Sequence, residues 1–260
     1  MKSNTLQKIV VIFAVVGTLV VNGLANTLPL NGLSTGEISD RFEVYFVPAG
    51  YVFSIWGLIY LGLIAYAIYQ ALPTQRDVKS LQSIGWLFVA SCVANIAWLF
   101  LWHYEQFPWT ILAMLTLLAL LILIYERLWK VRDMARSSHY WYVQLPFSIY
   151  LGWVTVATIA NATSLLDFIG WSGWGVADIA WAVIMLLIAM VVGVAVILRR
   201  RDPAYGLVLV WAFAGIAIKH TGTSTVALTA WITTGIVMLT VLYQLLVPRL
   251  KRESADEQTA

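Results

Sequence analysis

The stretch ADIAWAVIMLLIAMVVGVAVILRRR, from Ala177 to Arg201, decides the fold. Between Asp178 and Arg199 lie twenty consecutive uncharged residues. A helix rises 1.5 Å per residue, so twenty residues cover about 30 Å, the thickness of a bilayer's hydrocarbon core. Three arginines then close the segment. Working outward, segments near 8–27, 49–72, 83–103, 107–126, 141–165, 204–219 and 224–247 read in the same way. The 204–219 segment is the shortest. The expectation is an all-α, polytopic transmembrane helical bundle of about eight spans.

Composition supports this reading. The chain has 260 residues, 61% of them hydrophobic and 11% charged, with a mean hydropathy of +0.82. Soluble domains carry about a quarter charged residues, so this chain could not cover a water-facing surface. Charge placement then fixes a direction. With the N-terminus in the cytoplasm, 14 of the 16 basic residues fall in inside loops and only Arg41 and Lys219 fall outside, while the 13 acids divide seven to six. Orientation follows Lys and Arg and largely ignores acids. A miscounted span would swap every later loop and destroy the asymmetry. The chain is expected in a bacterial inner (plasma) membrane, multi-pass, with both termini cytoplasmic. One alternative stays open at the start, because Lys2 and Lys8 followed by an apolar run to Ala25 also resemble a cleaved signal peptide.

No full charge lies near mid-membrane: Glu126, Asp178 and Lys219 stand at segment ends. Proton relays and ion-coupled carriers need ionisable groups there, and matching Gly/Pro-broken helices are missing too. A pump is disfavoured. The single cysteine, Cys92, reads as a buried thiol and excludes an intrachain disulfide, a cysteine zinc site or an iron–sulfur cluster. There is no phosphate-binding glycine loop, no His-x-x-x-His pattern and no nucleophile elbow. The outer loop from Thr27 to about Val47 carries Pro29, Gly32 and Gly36, then Ser39–Tyr45, which suits a lid or short interfacial helix.

Thirteen tryptophans need explaining. An interfacial belt accounts for Trp86, Trp129 and Trp141 on the cytoplasmic side, and for Trp102, Trp109, Trp171, Trp174 and Trp181 on the outer side. It does not account for Trp56, Trp98, Trp153, Trp211 and Trp231, which lie deeper. In the third span Ser91, Asn95, Trp98 and Trp102 follow helical spacing along one stripe. The second span offers Phe53, Trp56 and Tyr60, and the fifth Tyr150, Trp153, Ala157 and Asn161. An amide facing lipid would go unsatisfied, so Asn95 and Asn161 should face the interior. Two readings remain open at this point. The amides are interhelical glue around an aromatic core, or they belong to an outward-opening cavity for a flat, largely apolar ligand.

Three stretches resemble the TspO/MBR family, the tryptophan-rich sensory or translocator proteins. YLGWVTVATIAN, Tyr150 to Asn161, is similar to Y-L-x-W-V-[ST]-F-A-T-x-x-N; NIAW, Asn95 to Trp98, is similar to N-x-x-W; and PAGYVFSIWGLIY, Pro48 to Tyr60, is similar to P-P-G-W-V-F-x-x-V-W-T-x-L-Y. Here Ala49 stands for the second proline and Tyr51 for a tryptophan, and Phe53 to Trp56 is one residue shorter. The family is ordinarily a five-span bundle. The resemblance therefore covers about residues 8–166, a five-helix membrane region (1–166); beyond it hydropathy marks three additional helices (167–248), and the charged composition of 249–260 reads as a disordered cytoplasmic tail. The resemblance implies a membrane binding or sensory protein for a tetrapyrrole, porphyrin or haem, or for a sterol-like lipid. Its ligand-facing positions here are Trp56, Tyr60, Asn95, Trp98, Trp153 and Asn161. No cofactor is firmly implied beyond such a porphyrin or haem ligand.

Other groups carry less. His103 and His220 stand at outer helix ends, where an imidazole could meet a haem iron, although solvated groups are the simpler reading. His139 reads as a surface group on the cytoplasmic side. Lys219 invites comparison with a Schiff-base lysine but has no mid-membrane counter-ion. Asn161-Ala-Thr163 matches a glycosylation sequon inside or at the edge of a span, and Arg199–Arg201 reads as a topology anchor. Three functions compete: a sensor or binding protein, a transporter or channel for a small lipophilic or neutral solute, and a membrane enzyme acting on a porphyrin- or isoprenoid-like substrate. The expected partners are the lipid bilayer, a lipophilic or tetrapyrrole small molecule and a second copy of the chain, with no nucleic acid.

Overall fold

A computed structural model describes the backbone of residues 2–27, 30–130 and 137–257, and side chains for all of these except 2–4, 26–27, 137 and 247–257. Pro29, Arg132 and Arg136 lie outside the described residues. All regular structure in the described part is helical. In chain order the helices are α1 (Lys2–Thr27), α2 (Thr35–Asp40), α3 (Ile55–Ala71), α4 (Lys79–His103), α5 (Phe107–Lys130), the single turn α6 (Ser137–His139), α7 (Leu145–Phe168), α8 (Asp178–Arg200), α9 (Pro203–Lys219) and α10 (Ser224–Glu257). Seven described segments are long and apolar enough to cross a membrane. The eighth apolar helix, α9, has 17 residues and so rises only about 26 Å. The chain is a polytopic helical membrane bundle. Its last helix continues to Glu257, where the sequence reading had placed a disordered tail from 249.

The chain folds as two compact units, Met1–Glu43 with Phe53–Trp171, and Val44–Val52 with Ser172–Ala260. In the first unit α3 packs on α1, α1 on α4, α4 on α5, α5 on α7 and α7 back on α3, a closed ring of five helices. Gly62 lets α3 approach α7, since a Cβ there would lie 3.0 Å from Pro146 Cβ. Pro146 also shapes the entry to α7. It has no N–H and its ring crowds the preceding turn, and residues Tyr140–Gln144 just before it wind as a π-turn in which Leu145 N–H reaches Tyr140 O. Cys92 is buried in this unit.

The second unit packs α8, α9 and α10 each against the other two. Arg201, in the left-handed conformation, ends α8, and Asp202 caps α9 by accepting from Tyr205 N–H at 3.1 Å. Two glycines set the spacing: a Cβ on Gly193 would meet Leu209 Cδ2 at 2.3 Å, and one on Gly206 would meet Val241 Cγ2 at 2.5 Å. The segment Val44–Val52 lies on α9. Ala49 N–H donates to Gly215 O at 3.2 Å, Trp211 Nε1–H donates to Val52 O at 3.1 Å, and the Tyr51 ring meets Trp211 edge-on at 5.4 Å. Sequence reading divided this segment between the end of the loop after the first span and the start of the second span, and gave no sign of its contact with α9.

The loop after α1 has its helix earlier than Ser39–Tyr45. Ser34 and Glu37 form a capping box that starts α2: Ser34 Oγ accepts from Glu37 N–H, and Glu37 Oε2 accepts from Ser34 N–H at 2.7 Å. Phe42 through Tyr45 lie beyond that helix.

Candidate ligand-binding site

Inside the five-helix ring, α3, α4 and α7 bring their aromatic stripes together. Trp56 lies at the centre. Its ring stacks on Tyr60 at 5.6 Å and on Trp98 at 6.5 Å, and meets Tyr150 and Trp153 edge-on at 6.0 and 6.2 Å. Phe53 adds an edge contact to Trp153 at 5.7 Å, and Trp102 stacks on Trp98 at 5.7 Å. Trp98, Trp102, Tyr150 and Trp153 are buried, whereas Trp56 and Tyr60 are half-buried. Helical spacing explains the gathering: 56 and 60 are one turn apart on α3, 98 and 102 one turn apart on α4, and 150 and 153 on α7.

The polar groups of this cluster are unevenly satisfied. Asn95 is fully buried, and its Oδ1 accepts from Asn22 Nδ2 on α1 at 2.9 Å. That bond turns Nδ2 the other way, towards the Tyr150 hydroxyl, with no hydrogen bond closed. The indole N–H groups of Trp98 and Trp153 are likewise buried without acceptors. Three N–H donors in one aromatic cluster thus lack partners. Each such group costs about 1–3 kcal/mol relative to a satisfied one.

Asn161 stands apart from the rings. It is buried, but its Nδ2 donates to Thr110 Oγ1 on α5 at 2.9 Å, leaving Oδ1 unpartnered. It lies eight residues beyond Trp153, about 12 Å along α7. Of the six positions implied by the resemblance, Trp56, Tyr60, Trp98 and Trp153 share ring contacts, Asn95 sits among the unpartnered donors, and Asn161 ties α7 to α5.

A roof of loop residues joins the cluster through Trp102. Its Nε1–H donates to Thr35 O at 3.2 Å, so Trp102 is not in the lipid belt where its place in the sequence put it. The neighbouring His103 is fully buried rather than solvated. Its Nδ1 lies 3.1 Å from Leu30 O, its Nε2 lies 3.1 Å from Thr35 Oγ1, and its own carbonyl accepts from Asn31 Nδ2 at 3.0 Å. A carbonyl can only accept, so Nδ1 carries the proton and Nε2 accepts from the Thr35 hydroxyl. Both ring nitrogens are engaged, which leaves no lone pair for an iron. Phe42 packs edge-on against Phe107 at 5.0 Å, and Arg41 pairs with Glu105. The capping box needed only the Ser-x-x-Glu spacing to be found, but the His103 clamp had no local signal.

A family model described as TSPO-like protein matches residues 8–243. The chain belongs to the TSPO-like protein family. The match runs beyond 8–166 and takes in α8, α9 and most of α10 of this TSPO-like chain. No curated protein and no solved structure matches it.

The remaining tryptophans and histidines divide by burial. Trp86, Trp109, Trp141 and Trp174 are exposed, as belt residues should be, and Trp211 and Trp231 also show their rings on the surface. Trp181 instead donates its N–H to Gly173 O at 2.9 Å. His139 is buried beside the Tyr69 ring, 6.4 Å away, and is not a surface group. His220 is half-buried at the end of α9, with Tyr45 5.4 Å from it. Among the described residues no three His, Cys, Asp or Glu side chains form a metal-binding group.

Proposed function

We propose that this TSPO-like protein is a sensory or binding protein that takes a planar, lipophilic small molecule of the porphyrin or haem class. The ligand would enter among Trp56, Tyr60, Asn95, Trp98 and Trp153. The observation that carries the reading is the set of three unpartnered donors, Trp98 Nε1–H, Trp153 Nε1–H and Asn95 Nδ2–H, buried among aromatic rings. Buried polar groups in proteins are nearly always paired. A ligand that inserts between the rings and offers acceptor atoms would satisfy them, and a tetrapyrrole has both a wide π-face and acceptor groups at its edge. Trp56 and Tyr60, half-buried and stacked on each other, are less enclosed than Trp98, Trp102, Tyr150 and Trp153, and a ligand would enter by displacing them. In this reading Asn161 sets the α5–α7 spacing and leaves ligand contact to the rings.

Titrating a porphyrin into the purified protein while following tryptophan fluorescence tests this directly. Saturable quenching at micromolar ligand is expected. No binding at that concentration would remove the ligand class and leave the family and the helical bundle standing.

A further inference from the structure

Away from the ring cluster, the first unit has a second feature of ligand size. A groove of about 600 Å³ runs between α1 and α3, within the range typical of small-molecule sites. Ile12, Val16 and Leu19 form one wall, and Ile64, Ile68 and Ala71 form the other. None of its lining residues carries a polar side-chain atom or an aromatic ring. The rims at Ile12, Val16 and Ile68 are exposed, so the groove opens outward from the helix ring.

One end of the groove is built differently. Leu72 and Pro73 close it, and there the Lys8 ammonium reaches Leu72 O at 3.5 Å while Gln70 Nε2 donates to Lys8 O at 3.2 Å. Lys8 is within electrostatic reach of Arg76 and Asp77, the guanidinium being the stronger influence. An aliphatic trough therefore ends at a net cationic corner.

We propose that the α1–α3 groove holds an acyl chain of an anionic phospholipid, with Lys8 and Arg76 taking its phosphate. Ile12 to Leu19 spans about 10 Å of helix, a large part of the roughly 15 Å depth of one leaflet. A chain lying there sets its headgroup at the Lys8 end. An ammonium has three N–H donors, and Leu72 O takes one of them. The same face serves a second copy of the chain poorly. A two-fold axis along the membrane normal would bring Lys8 and Arg76 against their own images. The walls lack the rings and amide donors a porphyrin would need.

Native mass spectrometry of the purified protein tests this, after incubation with equal amounts of phosphatidylglycerol and phosphatidylcholine of identical chains. The wild type should retain phosphatidylglycerol at least about fivefold over phosphatidylcholine, the scale expected of one basic residue at an anionic surface. Lys8→Gln combined with Arg76→Gln should bring the two lipids to parity, and Lys8→Arg should preserve the preference. Ala71→Trp, placed at an exposed position, should lower retention of both. Equal retention by the wild type overturns the proposal, as does undiminished selectivity in the double glutamine variant. Unchanged lipid retention in Ala71→Trp would place the lipid elsewhere, and dimers cross-linked through Val16→Cys would give the face to a second copy. Both results also overturn it.

Discussion

The Trp98 indole stacks on Trp102 at 5.7 Å, yet the two rings spend their N–H groups differently. Trp102 donates to Thr35 O in the loop after α1, whereas Trp98 donates to nothing. One ring belongs to the roof and the other faces the cluster beneath it. That division separates Trp102, tied to the loop, from Trp98, whose donor is left over, in a way that burial alone does not.

The first prediction uses the unpartnered donors. Trp98→Phe and Trp153→Phe keep a ring and remove the N–H. Each should weaken a porphyrin-class ligand by about 1 kcal/mol, as for a lost hydrogen bond. The apo protein should lose less stability than the smaller ring alone would imply, because an unpartnered buried donor goes with it. Replacement by Ala should cost roughly 1–3 kcal/mol of affinity through lost stacking, taking stacking on nucleic-acid bases as the analogue. Trp141→Ala and Trp174→Ala, both exposed, should leave affinity unchanged. Equal losses at all four positions would mean general packing damage.

The second concerns the roof. Thr35→Val removes the hydroxyl that His103 Nε2 accepts from, leaving a buried acceptor unpaired at a cost of about 1–3 kcal/mol. Hydrogen exchange should quicken across residues 30–42 and stay unchanged in the middle of α5. Unaltered exchange in the loop would show that the clamp does not hold it.

The third concerns the second unit. Gly215→Ala would place a Cβ 2.2 Å from Val52 Cγ2, and inserting a methyl into a tight contact costs about 1–3 kcal/mol. Protection of the Ala49 and Val52 amides should fall. Trp211→Phe, which loses the bond to Val52 O and trims the ring facing Tyr51, should have a smaller effect on the same amides. The reverse ranking would refute the packing argument.

The fourth is a pH dependence. Hydrogen bonds from the Ser34 backbone N–H and then its side chain hold the Glu37 carboxyl below its ordinary value of 4.5. A depressed carboxyl stabilises the fold above its unfolded value and loses that contribution as pH falls through the lower folded value. The start of α2 should therefore fray only in acid below about pH 4.5, and Glu37→Gln should flatten the response. Proteolysis of the loop across pH 3–7 measures it, over the range in which an ordinary carboxylate titrates.

The fifth tests orientation. In a Cys92→Ser background, cysteines placed at Glu43 and Ser172 should react with an impermeant reagent from outside the cell, and cysteines at Thr74 and Ser254 only from inside. Labelling at Ser254 from outside would require an odd number of crossings and would defeat the positive-inside argument.

The sequence by itself determined the helical membrane class, the approximate places of the long helices and the aromatic stripes. Each depends on spacing within one helix: twenty uncharged residues before Arg199, or Trp98 seven residues before Glu105 and three after Asn95. Such patterns survive being read one segment at a time. Which stripe groups were partnered depended on contacts between residues far apart in the chain. His103 resembled a solvated helix end until Leu30 and Thr35, some seventy positions earlier, closed over it. Asn95 and Asn161 were alike as buried amides, and only the neighbouring helices separated them, one meeting Asn22 beside the rings and the other meeting Thr110. The contact of Val44–Val52 with α9 went unread because nothing local announces that Gly215 leaves room for Val52. Hydrophobic periodicity is a property of one helix, whereas hydrogen-bond satisfaction belongs to the packed assembly.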